Sequence, residues 1–257
     1  MRACPPFLAE ADSRLQLPRL GGMARPNGVV IVSERFWAFA GRDGSLREGV
    51  MPRRRFDRIP LLRGAMKLAA AFAPVFRRSG VAGRRERWVL ATLIVAPLGF
   101  VFLPAVVAWV AWGLATAALL AWIFRGGTLR LHGAEHRAIA AVEERRLAAT
   151  WAGEARPTRF SLRCGTNFAA LVIPVTALAD RVWPFAPALY TPLLVTVLSL
   201  ALTMELWRAV HAARSRIARI VLLPGLALQR LTTREPSLEE TRVALTAVEA
   251  VLRRELG

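Results

Sequence analysis

The sequence predicts a mainly α, polytopic membrane protein: about four transmembrane helices in two hairpins, a small β element near the N-terminus and a cytoplasmic C-terminal helix. Three observations carry that prediction. The 257 residues are 54% hydrophobic, with a mean hydropathy of +0.37, too apolar for an ordinary soluble domain. The formal charge is nonetheless +18. The two properties are compatible because they are segregated: charges gather in the first 87 residues, in 125–163 and after 207, and long apolar runs fill the gaps. Basic loops alternating with uncharged runs are the pattern of a protein that crosses a membrane repeatedly.

Residues 1–22 contain no apolar run of secretory length and no small-residue cleavage pattern, so they are expected to be a disordered leader rather than a signal peptide, with Met23 an alternative start. Residues 23–87 form a cytoplasmic N-terminal segment. Within it, Val29 to Ala40 is rich in β-branched and aromatic residues, and Gly41-Arg42-Asp43-Gly44 is a turn signal followed by a short continuation at Ser45–Val50. A β-hairpin or three-stranded element follows from that pattern. From Pro60 to Phe72 a helical pattern places Arg63 and Lys67 on one face, as in a helix lying on a membrane surface or one packed in a core.

The run 88–124 is free of charge. One straight helix of that length would extend roughly 55 Å, against a hydrocarbon core of about 30 Å. Pro97, Gly99 and Pro104 allow the chain to turn, giving a first hairpin, spanning or re-entrant. Residues 167–207 are broken at Asp180-Arg181-Val182-Trp183-Pro184 and give a second, with spans near 168–179 and 187–207. Basic residues crowd the segments before, between and after the hairpins. They include Arg53, Arg54, Arg55, Arg84, Arg85 and Arg87, then Arg208, Arg214, Arg216 and Arg219, whereas the intervening turns carry almost none. The positive-inside rule therefore puts both termini and the segment 125–166 in the cytoplasm. In 208–257, Ile220–Leu228 is too short to span. Ser237 and Glu240 form a Ser-x-x-Glu capping box opening a helix through about Leu252, whose Leu238, Val243, Leu245, Val248, Val251 and Leu252 make a docking face.

The chemistry concentrates at His132-Gly133-Ala134-Glu135-His136, which holds two of the three histidines. On a helix the positions i, i+3 and i+4 share a face, so two imidazoles can hold a metal ion with Glu135 within reach of its bound water as general base. The spacing His-x-x-Glu-His is also that of the inverted zinc peptidases. A third ligand is needed, and the candidates are Cys164, a thiolate beside Gly165, and Glu205, an ionisable residue in an apolar span. The plainer readings are interfacial histidines, a packed cysteine, and a Glu205 paired with Arg208. Arg163 and Arg234 are candidates to bind an anionic part of a substrate. With only Cys4 and Cys164 there is no disulfide framework. No glycine loop for ATP or a dinucleotide is present. The basic segments lack the interleaved aromatics of a nucleic-acid platform, leaving the bilayer and its anionic lipids as the expected partners.

The motifs His132-Gly-Ala-Glu-His136, Arg163-Cys-Gly-Thr166 and Leu228-Gln-Arg-Leu-Thr-Thr-Arg-Glu-Pro236, in that order, resemble the YqhQ-like family of bacterial membrane proteins, predicted metal-dependent enzymes of unknown function. Pro60-Leu-Leu-Arg-Gly64, Gly21-Gly-Met23 and Asn27-Gly-Val-Val30 resemble its N-terminal region less closely. The chain departs from the family where Ser161-Leu162 replaces a usual His-Pro, which removes one possible ligand, and where Asn27-Gly28-Val29-Val30 replaces Glu-Gly-Val-Met. The resemblance implies a multi-pass protein of the bacterial plasma membrane with a zinc or other divalent metal site.

Two functional expectations follow. One is a zinc-dependent hydrolase at the cytoplasmic membrane face. The other is a non-catalytic scaffold or small transporter with a structural metal and a basic surface.

Overall fold

The structure is a computed structural model that describes residues 3–52, 58–77, 80–185, 190–213 and 220–257. Arg53, Arg54, Arg55, Arg214, Arg216 and Arg219, and the first residues of the span expected at 187–207, lie outside the described residues. In chain order the first elements are α1 (Pro6–Ser13), the strands β1 (Gly21–Arg25), β2 (Gly28–Val32), β3 (Phe36–Gly41) and β4 (Leu46–Val50), and α2 (Leu62–Phe76). Then come α3 (Arg84–Val95), a 3-10 segment (Ala96–Phe102), α4 (Ala105–Ile123), α5 (Thr128–Glu144) and α6 (Leu147–Ala152). The chain ends with α7 (Gly165–Arg181), α8 (Thr191–Ala212), α9 (Leu223–Thr232) and α10 (Leu238–Leu256). These elements divide into two compact units, one of Met1–Arg53, Phe124–Thr166 and Leu226–Gly257, the other of Arg54–Ile123 and Asn167–Gly225.

The first unit is an antiparallel meander in the order β1-β2-β3-β4, packed on α5 and α10. The strand period of two decides the faces. Val29 and Ile31 of β2 and Ala38 and Ala40 of β3 enter the core, where they meet Leu131, Ala134 and Ala138 of α5 and Leu245, Val248, Val251 and Leu252 of α10. Each fully buried Leu or Val stabilises the unit by about 1.5–3 kcal/mol relative to exposure. The expected capping box is present: Ser237 Oγ accepts the Glu240 N–H at 3.2 Å, and Glu240 Oε2 accepts the Ser237 N–H at 2.9 Å.

Two expectations for this unit need correction. The stretch expected to be a disordered leader, in its described residues 3–22, contains the helix α1 and the start of β1. Leu8 and Ala11 of α1 are wholly buried in the core, and the Asp12 carboxylate accepts the N–H groups of Leu147 and Ala148 at 2.9 and 3.0 Å, capping the otherwise orphaned start of α6. The β element has four strands rather than two or three, because Gly21–Arg25 pairs with β2 from Gly21↔Val32 to Arg25↔Gly28. Its glycines hid it: Gly21 and Gly22 carry no strand signal, yet a side chain at Gly22 would meet Glu135 Cγ at 2.7 Å.

The second unit is helical and strongly apolar. Among the described residues, two of its helices are long and apolar enough to cross a membrane: Val106–Ile123 with mean hydropathy 2.0 and Thr191–Ala212 with 1.7. That is fewer than the four expected. The other two arms fall short for local reasons. α3 has 12 residues and starts on Arg84-Arg85-Glu86-Arg87, and the chain then tightens into the 3-10 segment at Pro97. α7 has 17 residues, an internal Pro174 and Asp180-Arg181 at its end. Large apolar side chains face outward, among them Val106, Trp109, Leu114 and Ile173 at 77, 80, 67 and 71% exposure, a surface that water disfavours and lipid does not. α2 lies against α8 at Gly64, where a Cβ would meet Met204 Cβ at 2.8 Å.

Candidate metal centre

Two turns of α5 build the centre. The helix follows Gly126, whose φ of 63° needs a glycine, and ends at Arg145 in the left-handed region. His132 and His136 sit one turn apart, their rings edge to face with centroids 4.5 Å apart. Cys164, in the loop before α7, comes to the same place: the ligand atoms of His132, His136 and Cys164 all lie within 4.8 Å of one another. His132 Nε2 and Cys164 Sγ are 3.3 Å apart. A tetrahedral zinc with bonds of about 2.0–2.3 Å separates its donors by about 3.3–3.7 Å. The three residues can hold a metal ion.

The remaining ring nitrogens fix the tautomers. His132 Nδ1 is 2.8 Å from the Thr232 carbonyl oxygen, and His136 Nδ1 is 2.7 Å from that of Arg159. A carbonyl only accepts, so both Nδ1 atoms carry the proton and donate it, and both Nε2 atoms present a lone pair. His136 Nε2 is buried and has no hydrogen-bond partner among the described residues. A lone pair desolvated in this way has a cost unless something fills its valence, and a cation satisfies it. Backbone carbonyls that orient ligand histidines through the far nitrogen are the usual outer support of such sites. The donor set therefore fits a zinc-like ion.

Burial also sets the charge. It lowers the pKa of His132, against the opposing pull of the Thr232 hydrogen bond. It lowers that of His136 to about 4, with His132 adding repulsion. Both imidazoles are thus neutral and ligand-competent at pH 7. Cys164 Sγ accepts the Thr166 N–H at 3.3 Å and donates to Thr166 Oγ1 at 3.3 Å, which holds the sulfur in place.

The other predicted residues go elsewhere. Glu135 is buried against β1, its carboxyl beside Gly22, and does not join the cluster of donors. Desolvation raises its pKa to about 8, opposed by a hydrogen bond to the Ala24 backbone, so the metal-free protein holds it protonated at neutral pH. Glu205 belongs to the second unit, where Arg63 donates to both its oxygens at 2.8 and 2.6 Å and Arg208 approaches at 3.4 Å. Its carboxylate is engaged as an ion pair and not as a ligand of this cluster. Arg163 is paired with Glu143 at 2.6 Å. Arg234 lies on the surface while its backbone does structural work: its N–H donates to the Leu129 carbonyl at 2.9 Å, and its own carbonyl occupies the place a Cβ on Gly133 would need. The third histidine, His211, stacks on Trp207 and donates to its carbonyl at 2.8 Å, outside the cluster.

Several positioning residues carried no individual signal in the sequence. Gln229, fully buried, grips the backbone of Ser161 from both sides. Its Oε1 accepts the Ser161 N–H at 2.9 Å and its Nε2 donates to the Ser161 carbonyl at 2.7 Å. That clamp fixes the loop between the Arg159 carbonyl and Cys164. Glu235 supports it further, taking Arg137 at 2.7 Å and Arg159 at 3.2 Å, while Arg137 Nε donates to the Pro157 carbonyl at 3.1 Å. Gln229 and Glu235 lie inside the Leu228–Pro236 motif, which was the only trace of them.

No curated protein and no solved structure matches the chain. The model of the family described as "Protein of unknown function (DUF1385)" matches residues 88–254, a stretch containing every donor of the centre. That match agrees with the YqhQ-like resemblance of the three motifs, and the chain belongs to this family of proteins of unknown function.

Proposed function

We propose that this protein is a membrane-embedded, zinc-dependent enzyme, a hydrolase acting at the cytoplasmic face. One observation carries the reading: His132, His136 and Cys164 converge with both imidazole tautomers set and with the buried Nε2 of His136 unpartnered. Three protein donors leave a four-coordinate ion one open position, the arrangement of catalytic rather than structural zinc. When bound, such an ion supplies Lewis acidity and a water acidified to near neutral pH. The protein's own part is to hold the imidazoles rigidly through Thr232 and Arg159, and the proton acceptor we assign is Glu135 of the same helix, whose carboxyl lies against β1 beside Gly22. Glu135, held protonated by burial with a pKa of about 8, would titrate lower with a cation held by His132, His136 and Cys164, leaving a carboxylate oxygen able to take a proton.

Chain topology supports the membrane part of the proposal. The first unit is stitched from three separated segments by the packing of α5 on β1, of α10 on β3 and of α10 on α5, and by the His132–Thr232 hydrogen bond. All three segments must lie on one side of a bilayer. The excursions 54–123 and 167–225 then leave and return on the same side, each as a hairpin with one full span, α4 or α8, and a shorter or re-entrant arm. Phe100 of the 3-10 segment stacks edge to face on Trp112 of α4, as such a hairpin requires. With the basic segments flanking the hairpins, the positive-inside rule assigns that side, and both termini, to the cytoplasm of a bacterial plasma membrane.

A second reading rests on Glu135. Its burial against Gly22 is also what a structural carboxyl would show, and it favours a scaffold or small transporter with a structural metal. Complementation in cells, read together with the zinc content of the purified variants, separates the two. His136→Ala is expected to lose zinc and function. Glu135→Gln is expected to keep zinc and lose function. A Glu135→Gln variant that complements fully with unchanged zinc overturns the catalytic reading in favour of the structural one, and full zinc in His136→Ala overturns both.

A further inference from the structure

We infer a second site, for a phosphate group, in a cavity of about 310 Å³ lined by Arg42, Gly126, Gly127, Arg130, Arg234 and Glu240. Arginines from the β3–β4 turn, the first turn of α5 and the segment after α9 line it together. Arg42 is held in place by Glu240 at 2.9 Å, and its head sits against Gly127, where any side chain would collide with it. The side chains of Arg130 and Arg234 are exposed and make no hydrogen bond or ion pair among the described residues. Three arginines against one carboxylate, already engaged, leave the cavity with an excess of two positive charges. Guanidinium forks match phosphate oxygens geometrically as well as electrostatically. An anion bound there would neutralise Arg130 and Arg234, which two separate segments bring to one cavity without a carboxylate of their own.

The place of the cavity in the chain indicates the source of the phosphate. It begins at Gly126, three residues after the apolar helix α4 ends at Ile123, and three residues reach no more than about 10 Å. A phosphate held there lies at headgroup depth for any bilayer that α4 crosses. The ligand is the phosphate of an anionic phospholipid. The inference needs α4 in a membrane but does not depend on the metal or on catalysis.

The test uses the detergent-purified full chain, with retention of phosphatidylglycerol against phosphatidylcholine read by native mass spectrometry and stabilisation by inorganic phosphate read by thermal shift. Wild type is expected to retain phosphatidylglycerol about tenfold more than phosphatidylcholine. Arg130→Gln with Arg234→Gln should abolish that preference, while the control pair Arg145→Gln with Arg163→Gln keeps it. Stabilisation by inorganic phosphate that the first pair loses, without lipid preference, upholds the phosphate site and overturns the lipid as its source. Equal retention in all variants without a phosphate effect overturns the site, as does equal loss in both pairs, which would mean bulk charge alone. Zinc content, measured on the same samples, reports separately on the metal centre.

Discussion

Burial has made three titratable groups of α5 uncharged at pH 7, and each in its own direction: His132 and His136 by a lowered pKa, Glu135 by a raised one. The linkage signs follow. Glu135, at about 8 folded against 4.5 as its ordinary value, binds more protons when folded, so its contribution is full below 4.5 and is lost as pH rises toward 8. The histidines bind fewer protons when folded, so theirs grows as pH rises toward 6.5. The two effects oppose one another below 6.5, and only Glu135 acts between 6.5 and 8. In that window the metal-free protein should lose stability with rising pH, with a slope approaching about 1.4 kcal/mol per pH unit. Thermal melts of apo protein should show the loss in wild type and a flat profile in Glu135→Gln; equal slopes would acquit Glu135. His132, His136 and Cys164 were visible in the sequence because ligand side chains name themselves. Thr232 and Arg159 were invisible because they act through carbonyls, which every residue has.

Elements with local signatures were read correctly and those held by distant contacts were not. The start of α10 is written in Ser237 and Glu240, and its apolar positions recur at helical spacing, so its docking face was predictable. The turn at Gly41–Gly44 was predictable for the same reason. α1 was missed because its eight residues have little pattern of their own and are fixed by burial of Leu8 and by the Asp12 contact with α6. β1 was missed because Gly22 is explained only by the bulk of Glu135 across from it. Gly133 gives no hint in the sequence of what lies against it, the protein's own Arg234 carbonyl. The most informative element-scale contact is the Gln229 clamp, which ties α9 to the loop carrying Cys164. Gln229→Ala should weaken zinc binding by about 10–100-fold, the usual cost of losing an outer support, measured by chelator competition. An unchanged affinity would show that the loop holds its course without the clamp.

At the scale of the whole molecule, the sequence's alternation of basic and apolar segments corresponds to a real division: a sheet-bearing unit that carries the metal donors, and an apolar helical unit assembled from the two excursions. Which apolar stretches are full spans was not readable from hydropathy alone. The shortness of α3 and the proline within α7 emerge only once helix ends are placed. The central claim about the molecule is that residues from two distant stretches of chain, His132 and His136 from one and Cys164 from the other, bind one metal ion. X-ray absorption at the zinc edge of the loaded, detergent-purified full chain tests it most directly. The expected shell has one sulfur at about 2.3 Å and two imidazole nitrogens at about 2.0–2.1 Å, completed by a light atom, with the sulfur lost in Cys164→Ser. A shell without sulfur in the wild type, or a protein that retains no zinc, would contradict it.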